Sequence, residues 1–336
     1  MDARRVAWMT WMLSLTVLAG AGCSPTGGIK MTLVPADKTL KEETVIREGL
    51  FAPKIAVVDI SGMLLDQQIK GLLTEGENPV SFTQEQLKKA EDDSAVKAVI
   101  LRINSPGGTV TASQIIHDEV TRFKTKSKKP VVTMMMDMAA SGGYYVACAS
   151  DRLFAYPTTV TGSIGVIMQL FSLQGSLEAI RMKTYAIKSG AFKDAGSPLR
   201  DLTPPEREYF DKIVMEFFSR FLEVVEKGRP GLSPEKIKAL ADGKVYTGQD
   251  ALANGLVDEV GTVYTAIDYL KTKTNHKKMN VVVYHRPQEW KPNIYAAGSI
   301  PSPQAAQAGP LPIDLGQMND ALRPKFLYLW APGLAQ

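Results

Sequence analysis

The chain has 336 residues, 45% hydrophobic and 22% charged, an ordinary globular balance with room for a sizeable core. Its net charge of +4 is too mild and too scattered to argue for a nucleic-acid partner, and the run Lys124, Lys126, Lys128, Lys129 reads as a solvated loop before a strand. Two cysteines, Cys23 and Cys148, cannot build a disulfide framework; His117, His276 and His285 show no ligand spacing. No metal and no cofactor is expected, and His117 reads as a surface histidine on a helix.

The first residues are a targeting segment. Arg4 and Arg5 precede an apolar run from Val6 to Leu18, then small residues as far as Cys23. The run is short for a membrane span, which needs about 20 apolar residues. The stretch "LAGAGCSP" is similar to a bacterial lipoprotein signal, with Cys23 as the lipidated first residue of the mature chain, although Gly20 stands where a larger aliphatic residue is usual. Secretory cleavage after Ala19-Gly20-Ala21 and an uncleaved anchor are the alternatives. Each tethers or sends the chain to the exported side of a bacterial membrane. Residues 24–52 read as a tether.

From Lys54 the pattern becomes regular. "KIAVVDISGML" reads as a buried strand, "TQEQLKKAEDD" as a helix capped by Thr83, and "AVKAVILRI" as a second strand ending in Asn104-Ser105-Pro106-Gly107-Gly108. "TASQIIHDEVTRF" is a helix and "PVVTMMMDM" a strand running into Ser141. "RLFAYP" and "SIGVIMQL" are strand-like, "SLEAIRM" is helical, and "TYAIKS" reads as a strand ending at Lys188. The clearest helix follows Thr203-Pro204, a cap and a first-turn proline, and keeps Phe217, Phe218, Phe221, Leu222 and Val225 along one wide face until Gly228. That stripe suits a core or a subunit interface. Helical pieces near 233–241 and 248–254, "TVYTAIDYLK", and a strand "NVVVYHRP" complete the regular part. Residues 292–336, rich in Pro, Ala, Gly and Gln, read as a loose tail with an apolar end, "FLYLWAPG". Strands alternating with helices predict an α/β domain with a mostly parallel sheet.

The chemistry gathers at "MAASGGYY". A strand arriving at Ser141 and a helix leaving from Gly142 set a hydroxyl at a strand-to-helix turn, with Ala139 and Ala140 keeping the approach open. The Gly142 amide can meet an oxyanion as the serine attacks a carbonyl. A second amide is available from Gly107-Gly108, because in a parallel sheet neighbouring strands end at the same edge. Serine needs a base. No histidine has a supporting motif, which leaves a lysine, and Lys188 and Lys193 in "IKSGAFKDAGSP" are the two candidates. A lysine that accepts a proton near neutrality must have its pKa drawn well below about 10.4.

"INSPGG", "AASGGYY", "TGSIGV" and "KSGAFKDAGSP", in this order, resemble the signal peptide peptidase A (protease IV) family of bacterial membrane-associated serine peptidases, from about Lys54 to Leu270. The resemblance implies a Clp protease/crotonase-like fold of repeated strand-strand-helix units. It implies Ser141 as nucleophile, Lys193 as general base, Ser163 as the hydroxyl that orients the lysine amine, and Gly108 and Gly142 as oxyanion donors, with Gly107 the alternative to Gly108. Asn104 and Asp194 are implied as supporting residues. Clp proteases pair their serine with a histidine; this chain has no matching histidine and carries the lysine loop instead. In half-length members the serine and the lysine of one site are implied to come from neighbouring subunits of a ring, an octamer, so that an isolated monomer is inactive. Substrates are implied to be hydrophobic peptides such as remnant signal peptides, with small or aliphatic residues at the cleaved position. The division expected is a signal segment over 1–23, a tether over 24–52, the peptidase domain over 53–274 and an extension over 275–336. Two other readings are a crotonase-fold acyl-thioester enzyme, which export disfavours because coenzyme A is cytoplasmic, and a silent scaffold that binds hydrophobic segments without cutting them.

Overall fold

A computed structural model describes residues 39–67, 77–287, 291–296 and 326–330. Cys23 and the targeting segment lie outside the described residues.

The chain starts with an edge strand, β1 (Lys41–Ile46), and continues through β2 (Lys54–Ser61), α1 (Pro79–Asp92), β3 (Val96–Ser105), β4 (Gly107–Thr109), α2 (Val110–Ser127), β5 (Val131–Ala140) and α3 (Gly142–Ala147). Shorter elements follow: β6 (Arg152–Ala155), β7 (Val160–Gly162), β8 (Ile167–Met168) and α4 (Gln174–Ala179). Then come the long α5 (Pro204–Gly228), α6 (Pro234–Leu240), β9 (Val245–Thr247), α7 (Gly248–Asn254), β10 (Glu259–Val260), α8 (Val263–Lys273), β11 (Asn280–His285) and β12 (Phe326–Leu329).

Among the described residues nine strands form one sheet, in the order β1-β11-β2-β3-β5-β6-β10, with β7 beside β5 and β9 beside β7. The pairs β11–β2, β2–β3, β3–β5, β5–β6, β5–β7 and β6–β10 are parallel; β1–β11 and β7–β9 are antiparallel. Both faces of the central strands are covered, as a continuous apolar run such as "IAVV" from Ile55 demands. Ala56, Val58 and Ile60 face one core with α1, α2, α3 and α5, while Ile55 and Val57 face a second with α8 and Val281 and Val283 of β11. A second, three-stranded sheet has the order β4-β12-β8.

Several local expectations change. The first helix starts at Pro79, capped by the Asn78 side chain, and Thr83 sits inside it with its hydroxyl on the Pro79 carbonyl at 2.8 Å. Residues 184–189 form no strand; they are exposed coil, because alternate apolar residues with no sheet edge beside them cannot pair. Both expected boundaries also lie inside the main sheet. β1, from the supposed tether, pairs with β11, from the supposed extension. The tail is fixed in part: Arg102, on β3, forks onto Asp59 of β2 at 2.5 and 2.7 Å and donates to the carbonyls of Ile294 and Ala296. His117 is no free surface residue. Its ring packs edge-on against Tyr145 at 5.3 Å, and burial lowers its pKa.

The Arg102–Asp59 pair is buried, so removing one member leaves an uncompensated charge. Arg102→Met is expected to cost about 3–5 kcal/mol in urea denaturation, and Asp59→Leu added to it to recover most of that loss.

Candidate active site

Ser141 closes β5 and caps α3 with φ 52° and ψ −113°, a conformation that a side chain adopts at a cost of about 1–3 kcal/mol. The backbone holds it there. Ser141 N–H donates to the Gly162 carbonyl at 2.7 Å, and its own carbonyl accepts from Tyr145 N–H at 2.9 Å. β5 arrives bulged: Ile103 pairs with Met135 and Ser105 with Ala139, so β3 advances two residues while β5 advances four. The bulge is pinned by Asn104 Oδ1, which accepts from Met138 N–H at 3.2 Å, and by Thr159 Oγ1 on the Met136 carbonyl at 2.6 Å. Such bulges re-aim the residues that follow them. Asn104 thus acts two steps away from the serine, through the strand that carries it.

Three glycines crowd this point. A Cβ on Gly107, whose φ is +100°, would lie 1.9 Å from the Tyr328 carbonyl oxygen and 2.7 Å from Gly142 N. One on Gly108 would lie 1.9 Å from the Leu64 carbonyl oxygen, and one on Gly142 2.3 Å from Ser113 Oγ. The two candidate amides of the β4 turn differ. Gly107 N–H is engaged by Ser105 Oγ at 3.0 Å, and that hydroxyl in turn donates to the Gly62 carbonyl at 2.6 Å. Leu64 bonds Gly107 O and Thr109 N, each at 2.9 Å, so strand alternation turns the N–H of Gly108 the other way, toward β12. Ser105, fully buried, is the residue that sequence reasoning missed; its position inside "INSPGG" was visible, its bond to the glycine turn was not.

β12 runs antiparallel between β4 and β8, with Tyr328 opposite Gly108 and Leu329 opposite Gly107, and Trp330 N–H donates to the Pro106 carbonyl at 3.0 Å. The Tyr328 carbonyl oxygen therefore lies against Gly107, and 3.1 Å from where a Gly142 Cβ would stand. Its ring is fully buried, stacked on Tyr145 at 5.2 Å and tilted on Phe221 at 4.6 Å, with its hydroxyl donating to the Phe217 carbonyl at 2.7 Å. The neighbours Leu327, Leu329 and Trp330 instead line a cavity of about 460 Å³ shared with Ser141, Ser163, Val214 and Phe218.

Ser163 has φ 49° and is held by its N–H on the Lys244 carbonyl at 2.8 Å. Neither its hydroxyl nor that of Ser141 has a hydrogen-bond partner among the described residues. Ser141, Ser163, Gly108, Gly142 and Asn104 thus converge. Lys193 and Asp194 do not. They sit on the exposed segment between α4 and α5 and are absent from the cavity wall. The two lysines there differ. Lys188 donates to Asp194 Oδ1 at 2.5 Å and to the Ala191 carbonyl at 3.2 Å, while the Lys193 amine has no partner among the described residues. Nor do the described residues hold a cluster of His, Cys, Asp or Glu fit for a metal.

The model of peptidase family S49 matches residues 123–277, and that of Clp protease matches 54–164, the stretch from β2 past β7. A protein of Enterococcus faecium that carries the name signal peptide peptidase SppA is 39% identical over 246 residues, covering 73% of this chain and 70% of that one. The chain belongs to peptidase family S49. It is a serine-type peptidase on a Clp protease-like α/β fold. Protease 4 of Haemophilus influenzae is 37% identical over 68% of this chain but only 36% of its own length, and the chloroplastic serine protease SPPA of Arabidopsis thaliana 34% identical over 72% of this chain and 36% of its own. Against those two this S49 chain spans about a third of the relative.

A methyl group at Gly108 has no space against the Leu64 backbone. Gly108→Ala is expected to displace the β4 turn and its amide and, were that amide an oxyanion donor, to lower kcat by about 10²–10³, measured on a fluorogenic hydrophobic peptide with folding checked by circular dichroism.

Proposed function

We propose that this peptidase is an endopeptidase with a serine–lysine dyad, acting on hydrophobic segments such as signal peptides left after cleavage. The observation that carries the reading is β12, a stretch of apolar chain lying as a strand between β4 and β8 with a carbonyl against the oxyanion glycines. A substrate bound in that way takes main-chain hydrogen bonds from β4 and puts alternate side chains into the aromatic pocket and the cavity. The Ser141 hydroxyl attacks the carbonyl carbon while neutral Lys193 takes its proton. The oxyanion rests on the amides of Gly108 and Gly142. The lysinium then protonates the departing amine, leaving an ester on Ser141. Water, deprotonated by the same amine, hydrolyses it. Ser163 accepts the amine's attention from the cavity wall and keeps it aimed at Ser141. A silent scaffold would gain nothing from a serine held at positive φ.

The lysine comes from a second copy. Lys193 is exposed and absent from the wall around its own Ser141, and the segment that carries it shows apolar side chains to solvent: Ile180, Met182, Tyr185, Ile187 and Phe192. Covering that surface with a neighbouring copy buries the side chains and brings an unpartnered amine to a waiting hydroxyl. Repeated around a closed ring, as an octamer, the contact completes every site. The N-terminal segment then holds the ring at the exported face of a bacterial membrane, through a lipid on Cys23 or through the segment itself.

Ser141→Ala and Lys193→Ala are each expected to lose nearly all peptide cleavage. Co-expressed in equal amounts they are expected to regain about one quarter of wild-type activity, the share of mixed sites that pair an intact serine with an intact lysine. No recovery in mixed rings would place both groups on one chain.

The tail must leave before a substrate enters. Tyr328→Ala removes a buried aromatic anchor, which typically contributes about 1.5–3 kcal/mol. It is expected to raise kcat/KM for an added peptide by about tenfold, checked by steady-state kinetics of the full chain.

A further inference from the structure

A base must be placed to within a fraction of an ångström, because a displacement of about 1 Å can cost about 10²-fold in rate. Yet Lys193 sits on a segment, from Ile180 to Thr203, without helix or strand and mostly open to solvent. Around Lys193 its bonds are local turns, Lys193 N–H to the Gly190 carbonyl and Ser197 N–H to the Asp194 carbonyl. Its other ties fall further along, Leu173 N–H to the Pro198 carbonyl at 2.7 Å, Thr184 Oγ1 to the Leu199 carbonyl at 3.4 Å and Asp201 N–H to Gln174 Oε1 at 2.8 Å. Something has to fix it to the body of the protein.

We infer that Arg200 is the positioning residue of the lysine base, a double fork that fastens the Lys193 loop to the first turn of α5. One side of the guanidinium grips Asp194, next in sequence to Lys193: Nε to Oδ2 at 3.0 Å, Nη2 to Oδ1 at 2.8 Å, and Nη2 to its backbone carbonyl at 3.2 Å. The other side grips Glu206, with Nη1 to Oε2 at 2.9 Å and Nη2 to Oε1 at 2.5 Å. Nη1 also donates to the Asp201 carbonyl at 3.0 Å. Glu206 is buried and accepts from Thr203 N–H at 3.0 Å, so it is itself part of the helix start. Paired bidentate contacts of this kind fix direction as well as distance, which an ammonium cannot do. Phe192, the residue before Lys193, adds an apolar contact to the same helix at Tyr209, with ring centroids 5.4 Å apart.

The charges are arranged so that the brace outlasts the titration of a base. Arg200 holds the Glu206 carboxyl down to about 2 and, with Lys188, holds Asp194 well below the usual carboxylate range. Both carboxylates have folded pKa values below their unfolded ones of about 4, so their contribution is complete above that pH and is lost only as pH falls through the folded values. The groups that face this network are Lys188 and Asp194 from the loop, Asp201, whose carboxylate is taken by Ser172, and Glu206 from α5. Without Arg200 the Asp194 carboxylate loses its guanidinium partner, and a carboxylate freed near an amine favours the charged form of that amine.

This inference rests on Lys193 being the base, and the experiment separates the two. In the full chain, Arg200→Gln is expected to lower kcat at least tenfold with KM within twofold, because a base acts in the transition state and not in substrate binding. The acid limb of the pH–rate profile is expected to move to higher pH. Arg200→Lys is expected to restore only a small part of the rate. Amide hydrogen exchange over 188–200 is expected to rise in Arg200→Gln while β3 and β5 stay protected. Wild-type kcat with an unmoved acid limb in Arg200→Gln overturns the proposal, as does full rescue by lysine. If the wild-type chain cleaves no peptide, the dyad reading falls, and the exchange measurement still decides the brace: unchanged protection over 188–200 in Arg200→Gln overturns it.

Discussion

Four stretches of backbone meet at Ser141 with no room between them for one methyl group. The β4 turn, Leu64 and β12 approach so closely that a Cβ on Gly107 or Gly108 would lie 1.9 Å from a carbonyl oxygen, and at the start of α3 one on Gly142 would lie 2.3 Å from Ser113 Oγ and 3.1 Å from Gly107 Cα and the Tyr328 carbonyl oxygen. This crowding is the constraint from which the site follows. It demands glycine for steric reasons before any chemical ones. It brings amides to a point where charge will develop, and it fixes them there without side-chain entropy to lose. Preorganised donors of this kind act because they need not reorganise when the oxyanion forms. The strained serine belongs to the same arrangement: the bulge in β5, pinned by Asn104 and Thr159, delivers it at a positive φ, and the Gly162 carbonyl keeps it there.

The molecule divides the labour of catalysis between unequal parts. On the proposed reading the nucleophile, Ser141, is buried where β5 ends and α3 begins, and the oxyanion donors stand beside it on the first residue of α3 and on β4. The lysines stand on a solvent-exposed segment with apolar residues facing outward. Such an arrangement makes poor sense for a chain that works alone. It makes sense when the exposed segment completes another copy's site, for then its apolar side chains become an interface core, and burial of the amine waits until assembly. On the proposed reading, assembly is also what takes the lysine-bearing segment out of water, and desolvation disfavours the charged form of any amine.

Much of this was legible in the order of residues. The alternation of strands and helices, the strand-to-helix turn at Ser141 and the Thr203-Pro204 helix start are local patterns, and local physics decides them. The glycines were legible as a turn. The resemblance implied Gly108 with Gly107 the alternative, but the physical difference between the two amides was not legible, because it depends on Ser105, whose hydroxyl engages the Gly107 amide and leaves that of Gly108 facing β12. The "TYAIKS" strand failed for a related reason. Alternating apolar residues look alike whether they face a sheet or a neighbouring molecule, and only the presence of an edge separates the two. The sheet's outer strands, β1 and β11, were cut off from the domain in the sequence reading because resemblance stopped short of them, although "NVVVYH" has the composition of a central strand.

The apolar end "FLYLWAPG" was the least interpretable stretch in one dimension and is the most informative in three. If substrates bind where β12 lies, as proposed, the chain has to keep two affinities in balance. Belonging to the same chain, which Arg102 holds at Ile294 and Ala296, the strand competes with a free peptide intramolecularly. Were its contacts as good as the groove permits, no substrate would enter. The features that set the balance are visible. Tyr328 fills the aromatic pocket completely, but Leu327, Leu329 and Trp330 line a cavity of about 460 Å³ without filling it. On the proposed reading, a hydrophobic peptide with bulkier side chains at those positions buries apolar surface that the tail leaves open to the cavity, and that difference, not absolute affinity, is what would let an incoming segment displace the resident strand.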